Sequence, residues 1–238
     1  DEIFLQFSYE EKKENEKFSY SANIKEYKEI RNNIIFENHD YLILNKPSGI
    51  SVQSGTKSPK NLIDILNKFS EDKKFYLVHR IDKETSGIIV FACNRLFAQT
   101  LSEQFRNKEV KKSYLAILYG SIPRNEGTLD HDLVFKVKNQ MKTFKAETDF
   151  SVLSKNKDFS YVEATPITGR KHQIRQQFFK VNHPIVGDGK YEIPHYVNKD
   201  KFLMLHSYKI TFYDKGKEKT FKIEPPKEFK NFLKKSNL

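Results

Sequence analysis

The spacing of apolar residues along the chain predicts four amphipathic helices. Apolar side chains recur three and four positions apart over residues 61–70, as on one face of a helix. The same spacing predicts a helix that begins near Asn94, a residue type favoured at helix N-caps. Residues 169–181 and 229–235 predict two more helices.

Short apolar runs bounded by turn residues predict strands between these helices. The predicted strands cover residues 33–36, 41–45, 75–81, 87–92, 114–119, 143–153, 161–165 and 203–212. Asn38-His39-Asp40 separates the first two and predicts a hairpin turn. Because strands and helices are mixed without regular alternation, the pattern favours an α+β fold over a doubly wound sheet.

The N-terminal end of the chain differs from the remainder in its pattern. Residues 9–17 are rich in Glu and Lys and carry little periodic apolar signal. We therefore expect residues 1–32 to be an arm or linker and residues 33–238 to be one folded domain. Charged residues make up 31% of the chain, which leans toward disorder, but 20 Phe and 12 Tyr favour a packed core.

Composition also excludes several classes of site. A single cysteine, Cys93, excludes a disulfide framework and a cysteine-based zinc site and fits a reducing compartment such as the cytoplasm. The seven histidines show no pair at metal-binding spacing, and Gly187-Asp188-Gly189 lacks the third glycine of a dinucleotide fingerprint. No apolar run approaches the ~20 residues of a membrane span. We expect no metal, no cofactor and no membrane.

The net charge of +11 suggests an anionic partner but is ambiguous by itself. Of the 42 basic residues 35 are Lys, and an AT-rich genome explains such a bias equally well. The seven arginines are more informative, because a planar guanidinium suits bidentate contacts to phosphate, carboxylate or bases. Three of them, Arg80, Arg170 and Arg175, lie within the two segments richest in candidate functional residues.

The first of these segments covers residues 79–87, where a predicted strand brings Asp82 to a turn. Arg80 and Lys83 flank Asp82, and nearby cations keep a carboxylate ionised. A positioned, ionised carboxylate can act as a base or as a covalent nucleophile. Taken in isolation, a turn-forming aspartate with a surface ion pair is the better interpretation.

The second segment covers residues 168–175 and predicts an anion site. If Gly169 opens a helix, its free N–H groups attract an anion, and five following side chains can add charge or hydrogen bonds. These are Arg170, Lys171, His172, Gln173 and Arg175. A solvated, cationic helix start is the alternative interpretation.

Two further segments carry weaker signals. Tyr114 follows Lys111 and Lys112, so it is either a core aromatic or a stacking surface for a base in a basic groove. The turn at residues 45–49 is explained by its Pro and Gly alone.

Five motifs, in this order, resemble the RluA family of RNA pseudouridine synthases. They are Asn-Lys-Pro-x-Gly at 45–49, His-Arg-Ile-Asp-x-x-Thr-Ser-Gly at 79–87, Lys-x-Tyr-x-Ala at 112–116, Thr-Gly-Arg-x-His-Gln-Ile-Arg at 168–175, and His-Pro-Ile-x-Gly-Asp at 183–188. Ile81 replaces the family's usual Leu. The pattern is most similar to the ribosomal large-subunit enzymes of the family.

The resemblance implies an enzyme that isomerises uridine to pseudouridine without a cofactor, most similar to those acting on 23S ribosomal RNA. It implies a central, mixed, largely antiparallel sheet flanked by helices, with one cleft, in a cytoplasmic protein that we expect to be a monomer. Many relatives carry an N-terminal S4 RNA-binding module, which this sequence does not show. Residues 1–32 are then expected to be the remnant of its connection.

The resemblance also assigns roles to residues. Asp82 matches the essential aspartate, Tyr114 the active-site tyrosine, and Arg175 the basic residue that pairs with the aspartate. Arg80 matches the arginine that intrudes into the RNA. The expected RNA-binding residues are Arg80, His79, Lys112, Arg170, His172 and Gln173. The alternatives are the same activity on tRNA and a non-catalytic RNA-binding protein; a glycosidase needs a second, opposed carboxylate.

Overall fold

The computed structural model describes residues 21–55, 59–70, 73–194, 196 and 201–238. The helices are α1 (Ile24–Arg31), α2 (Leu62–Lys68), α3 (Arg95–Arg106), α4 (Gln173–Lys180) and α5 (Lys227–Lys235). The strands are β1 (Ile34–Glu37), β2 (Tyr41–Lys46), β3 (Tyr76–Leu77), β4 (Ser86–Ala92), β5 (Lys111–Tyr119), β6 (Glu126–Leu129), β7 (Leu133–Val137), β8 (Gln140–Phe144), β9 (Thr148–Lys155), β10 (Phe159–Pro166), β11 (Leu205–Asp214) and β12 (Lys217–Lys222).

One large mixed sheet organises the described part of the chain. Its strands follow the order β1-β2-β4-β11-β5-β10-β9-β6, with β3 beside β4 and β12 beside β11. β4 and β11 pair in parallel, and the other pairings in this sheet are antiparallel. β7 and β8 form a separate hairpin. The predicted α+β class, with a largely antiparallel sheet, is confirmed.

The sheet is covered on both faces along β2 and β4, which explains their continuous apolar runs. All seven residues of β4 are buried. Its side chains alternate between faces: Ile89 and Phe91 pack in the cluster that includes α2, while Ile88 and Val90 pack in the cluster that includes α3. This packing between two helices fixes the strand that begins directly after the loop that holds Asp82.

Several predicted elements have different bounds in the structure. The predicted strand 75–81 is reduced to β3, because the next β4 N–H, that of Val90, donates to the His79 ring at 2.9 Å. The predicted strand 143–153 is divided into β8 and β9, since the Glu147 carbonyl accepts N–H bonds from Ile167 and Thr168. β6, β7 and β12 have no counterpart among the predictions.

Part of the predicted N-terminal arm is helical. α1 begins at the N-cap Asn23, whose side chain accepts the Glu26 N–H while the Glu26 carboxylate accepts the Asn23 N–H. Ile30 of this helix is buried in the cluster that contains α2. The division of the chain at residue 32 stays a prediction.

The parallel contact between β4 and β11 requires glycine at position 87. Gly87 has φ of +105°, and it pairs with Ser207 on β11. A Cβ atom here would overlap the Ser207 carbonyl oxygen and lie 2.8 Å from its nitrogen. Ser207 in turn pairs with Tyr114 on β5, so this close approach brings the start of β4 near Tyr114.

We expect Gly87→Ala to lower the free energy of unfolding by more than ~2 kcal/mol, because backbone atoms rather than a mobile side chain oppose the added methyl group. Gly216→Ala is the matched control: its φ is +75°, but no atom lies within 4 Å of the added Cβ. The control should lose about 1 kcal/mol from backbone strain alone. Urea denaturation measures both, and equal losses would contradict the steric explanation.

Candidate active site

A cleft of about 990 Å³ opens beside the start of β4 and contains every residue that the sequence singled out for the site. Its lining includes Asp82, Tyr114, Arg175, Arg80, His79, Lys112, Arg170, His172 and Gln173. Three separate segments of the chain, at residues 79–82, 112–114 and 170–175, therefore meet in one concave surface.

Asp82 lies in the loop before β4, and its side chain is 17% exposed toward the cleft. Two donors face its carboxylate, one at each oxygen. Arg175 Nη1 is 3.6 Å from Oδ2, and His172 Nε2 is 3.8 Å from Oδ1. Both distances exceed a normal hydrogen bond, which leaves the carboxylate oxygens available to a substrate.

Arg175 is held mainly by a residue to which the sequence assigned no role. Its Nε and Nη2 donate to the two carboxylate oxygens of Asp188, each at 2.7 Å. Both side chains are buried, and Asp188 also accepts the N–H groups of Lys190 and Tyr191. The expected pairing of Arg175 with Asp82 thus uses only the remaining nitrogen, after Asp188 has fixed the guanidinium plane.

The turn at residues 45–49 positions the Asp82 loop from the opposite side. The fully buried Lys46 ammonium donates to three carbonyl oxygens, those of Pro47, Ile50 and Lys83, at 2.9–3.0 Å. Burial lowers the pKa of Lys46 to about 7, and the charges of Glu84 and Asp82 raise it. Three acceptors match the three N–H groups of the ammonium form.

Two more contacts join the same turn to the loop. The Ser48 hydroxyl donates to the Glu84 carbonyl at 2.6 Å, and the Gly49 N–H donates to the Lys83 carbonyl at 2.9 Å. The sequence explained the motif at residues 45–49 by its Pro and Gly alone. In the structure this motif also fixes the backbone that carries Asp82.

Tyr114 lies at the edge of the cleft with its hydroxyl protonated. Burial raises its pKa, as does the charge of Asp82, and a hydrogen bond with Ser207 opposes this rise. The ring packs against two buried clusters, one that includes β5 and β10 and one that includes α2. Its position combines the two interpretations that the sequence left open, since one part of the ring is core and another lines the cleft.

The structure gives His79 a role in the fold. Its Nε2 accepts the Val90 N–H at 2.9 Å, and its ring stacks on Phe105 of α3 with centroids 4.9 Å apart. Burial, with a smaller effect from Lys112, lowers the pKa of His79 to about 3. Arg80, the next residue, is exposed at the cleft, where the resemblance expects it to reach the RNA.

Lys112 and Arg170 line the cleft with aromatic neighbours. The Lys112 ammonium lies 5.6 Å from the Phe105 ring, and burial lowers its pKa to about 8. The Arg170 guanidinium lies 5.3 Å from the Phe144 ring at the end of β8. Both pairs place a cation beside an aromatic ring, an arrangement that suits a nucleic acid.

The predicted helix over residues 169–181 is wrong at its start, and with it the anion site at Gly169. α4 begins at Gln173, after His172 in the left-handed conformation. The Gln173 side chain accepts the Arg170 N–H and the Thr168 hydroxyl and donates to Glu147 and Thr148. The Gln173 side chain therefore closes the turn that precedes α4. The Arg170 N–H, which the predicted helix would have left free, is taken up by this side chain.

No group of three or more potential metal-ligating side chains occurs within the described ranges. Among the helices that the structure describes, none has the length and apolar character needed to cross a membrane.

The cleft thus gathers basic, aromatic and polar side chains around one carboxylate, that of Asp82. Residues 40–180 match the family described as RNA pseudouridylate synthase, and the chain belongs to this family. The resemblance to the RluA family is confirmed, and the chain is an RNA pseudouridine synthase.

Individual relatives agree with this assignment. Ribosomal large subunit pseudouridine synthase C of Buchnera aphidicola subsp. Baizongia pistaciae is 36% identical over 220 residues, covering 85% of this chain and 70% of the relative. Dual-specificity RNA pseudouridine synthase RluA of Yersinia pestis is 34% identical over 202 residues, covering 80% and 98%. The solved structure of human RNA Pseudouridylate Synthase Domain Containing 4 superposes with a TM-score of 0.76 at 25% identity, covering 90% and 96%.

We expect Asp188→Asn to lower the free energy of unfolding by about 3 kcal/mol, because it leaves the buried Arg175 charge without its carboxylate. The control is Glu224→Gln, which removes an exposed ion pair with Lys230 at 3.5 Å and should cost less than ~0.5 kcal/mol. Chemical denaturation compares the two. A loss in Asp188→Asn no larger than that of the control would show that the buried pair contributes little.

The pKa of His79 predicts an acid sensitivity. Below pH 6.5 the unfolded chain takes up a proton at His79 that the folded chain binds only near pH 3, so folding becomes less favourable as pH falls. His79→Gln removes this effect. We expect its stability deficit relative to wild type to shrink by up to ~1.4 kcal/mol per pH unit between pH 6.5 and 5. Denaturation curves across this range measure the deficit, and a constant value would refute the assignment.

Proposed function

We propose that this enzyme isomerises specific uridines of large-subunit ribosomal RNA, with Asp82 as the catalytic residue. The observation that carries the proposal is the placement of Asp82 in the cleft, with one donor facing each carboxylate oxygen and Tyr114 at the cleft edge. The relatives named as ribosomal large-subunit synthases support the choice of RNA. A cytoplasmic location and a monomeric state go with this proposal as predictions.

The reaction rearranges bonds within one nucleotide. The N1–C1′ bond breaks, the uracil rotates, and a C1′–C5 bond forms while the hydrogen on C5 leaves and N1 gains one. The ionised Asp82 acts on the ribose, either as a nucleophile at C1′ or as a base at C2′. Both routes require the same position of the carboxylate beside the sugar.

Tyr114 serves the second half of this reaction. With its pKa raised by burial and by Asp82, the hydroxyl stays protonated, so it relays the C5 proton through exchange or through water rather than as a standing phenolate. Its ring packs on the uracil and limits the rotation of the freed base.

The target uridine must leave its stack before Asp82 can reach it, which costs a few kcal/mol. Arg80, exposed at the cleft, fills the space that the base vacates. Lys112 and Arg170 contact the RNA backbone, and such phosphate contacts offset part of the unstacking cost. His79 and Gln173 support this surface through their bonds within the fold.

Transfer RNA is the second candidate substrate. The chain aligns with 98% of the dual-specificity relative, compared with 70% of the synthase C relative. A chain that matches a dual-specificity enzyme over nearly its full length is a reasonable candidate for a second RNA.

The decisive test is Asp82→Asn, assayed by tritium release from transcripts that carry uridine labelled at C5. We expect turnover to fall by more than ~10³-fold while filter-binding affinity for the RNA changes little, because the amide keeps the shape but loses the charge. Asp158→Asn, a change at an exposed β9–β10 turn residue, is the matched control.

Retained turnover in Asp82→Asn would overturn the role of the aspartate. The same assay on ribosomal and transfer RNA transcripts separates the two substrates. Release from transfer RNA alone would overturn the ribosomal target and leave the enzyme class intact.

A further inference from the structure

His172 occupies a position that its expected role as a phosphate ligand does not require. Its backbone is in the left-handed region, with φ of 53° and ψ of 29°, directly before α4. Few residues other than glycine adopt this conformation. The result is an imidazole ring that lies inside the cleft, only 15% exposed, rather than on its rim.

The two ring nitrogens of His172 have different neighbours. Nδ1 lies 3.0 Å from the Tyr191 hydroxyl, and the two rings meet edge to face. Nε2 points to Asp82 Oδ1 at 3.8 Å. The imidazole is therefore interposed between a tyrosine hydroxyl and the catalytic carboxylate.

The charges around this trio determine where the protons are. Burial raises the pKa of Tyr191, the carboxylates of Asp188 and Asp82 add to this rise and Arg175 opposes it, so the hydroxyl keeps its proton. Burial lowers the pKa of His172 to about 4 against the attraction of Asp82, and three cations lower it further. These cations are Arg175, Lys190 and Lys171.

A neutral imidazole carries one N–H. A proton on Nε2 faces the Asp82 carboxylate, which can only accept, and the Tyr191 hydroxyl then donates to Nδ1. The other tautomer would turn the Nε2 lone pair toward the negative carboxylate, so we assign the proton to Nε2. The second nitrogen of a histidine commonly sets the tautomer of the first in this way.

We propose that His172, oriented by Tyr191, is a positioning residue that holds Asp82 Oδ1 while Arg175 holds Oδ2. Two donors on separate oxygens fix the plane of the carboxylate, so one lone pair faces the ribose. The present distances of 3.8 and 3.6 Å shorten when RNA closes the site. This inference rests on the proposed role of Asp82 and extends it to two residues.

Kinetics distinguish positioning from RNA contact. We expect His172→Ala to lower kcat in the tritium-release assay by about 30- to 100-fold, with KM for the transcript within twofold of wild type, since a misaligned group costs about this much. His172→Gln, whose amide N–H replaces Nε2–H, should recover most of the rate. Tyr191→Phe should lower kcat in the wild-type background and add little to His172→Ala.

The outcomes separate this inference from the proposed function. If wild type is active and His172→Ala instead raises KM and flattens the salt dependence of binding, His172 contacts phosphate and the inference is overturned. Additive losses in the double variant would overturn the link to Tyr191. If wild type releases no tritium from either RNA, the proposed function is overturned. The His172 tautomer can still be tested without activity.

A spectroscopic measurement on the unaltered chain tests the tautomer without activity. In ¹⁵N-histidine-labelled protein we expect the His172 resonances, assigned through their loss in His172→Gln, to show protonation at Nε2 and no titration between pH 6 and 8. Tyr191→Phe should shift the Nδ1 resonance, and His39→Gln, at the exposed hairpin turn, should not. A proton on Nδ1, or a charged ring at pH 7, would refute the proposal.

Discussion

The buried pairing of Arg175 with Asp188 is the interaction on which the site depends. It joins the first turn of α4 to the loop that precedes β11, two segments that also meet through His172 and Tyr191. A bidentate pair fixes both the position and the plane of a guanidinium. The direction of the third nitrogen, Arg175 Nη1, is then fixed as well, and it faces Asp82. The charge that faces Asp82 is thus set by a residue that never reaches the substrate.

Asp82 itself is positioned by the β2 turn, by the start of β4 and by the donors at the start of α4. On one side the β2 turn holds the loop backbone through Lys46, and on the other the doubly buried β4 begins four residues later. The donors around its carboxylate come from a third direction, α4 and the segment before it. Lys46 also pairs with Gly87 of β4, so the turn and the strand act as one support for the backbone that carries Asp82.

The sequence predicts which residues line the cleft better than it predicts the bounds of the elements around them. Periodicity located α2 and α3, and the motif order located Asp82, because both signals are local. The Asn-x-x-Glu pattern of the α1 capping box is also local, but it lies in a charged stretch with little apolar periodicity. Asp188 was within a recognised motif, yet its partner lies 13 residues away and nothing local reveals the pairing.

Contacts between residues distant along the chain also determine where strands end, and local sequence does not reveal them. β3 stops where a histidine side chain replaces a backbone carbonyl as acceptor for Val90, and β8 and β9 separate where Glu147 bonds to a distant loop. In both cases a backbone N–H group donates to an acceptor that only the folded chain brings close to it. Propensity and periodicity contain no information about them.

The contacts that fix the Asp82 loop are made to main-chain oxygens rather than to side chains. Lys46, Ser48 and Gly49 recognise the carbonyl groups of residues 83 and 84. These contacts do not depend on the side chains of those two residues. They do depend on the number of residues between each carbonyl group and Asp82. In this chain the loop should therefore tolerate substitutions at residues 83 and 84 better than an insertion or deletion after Asp82.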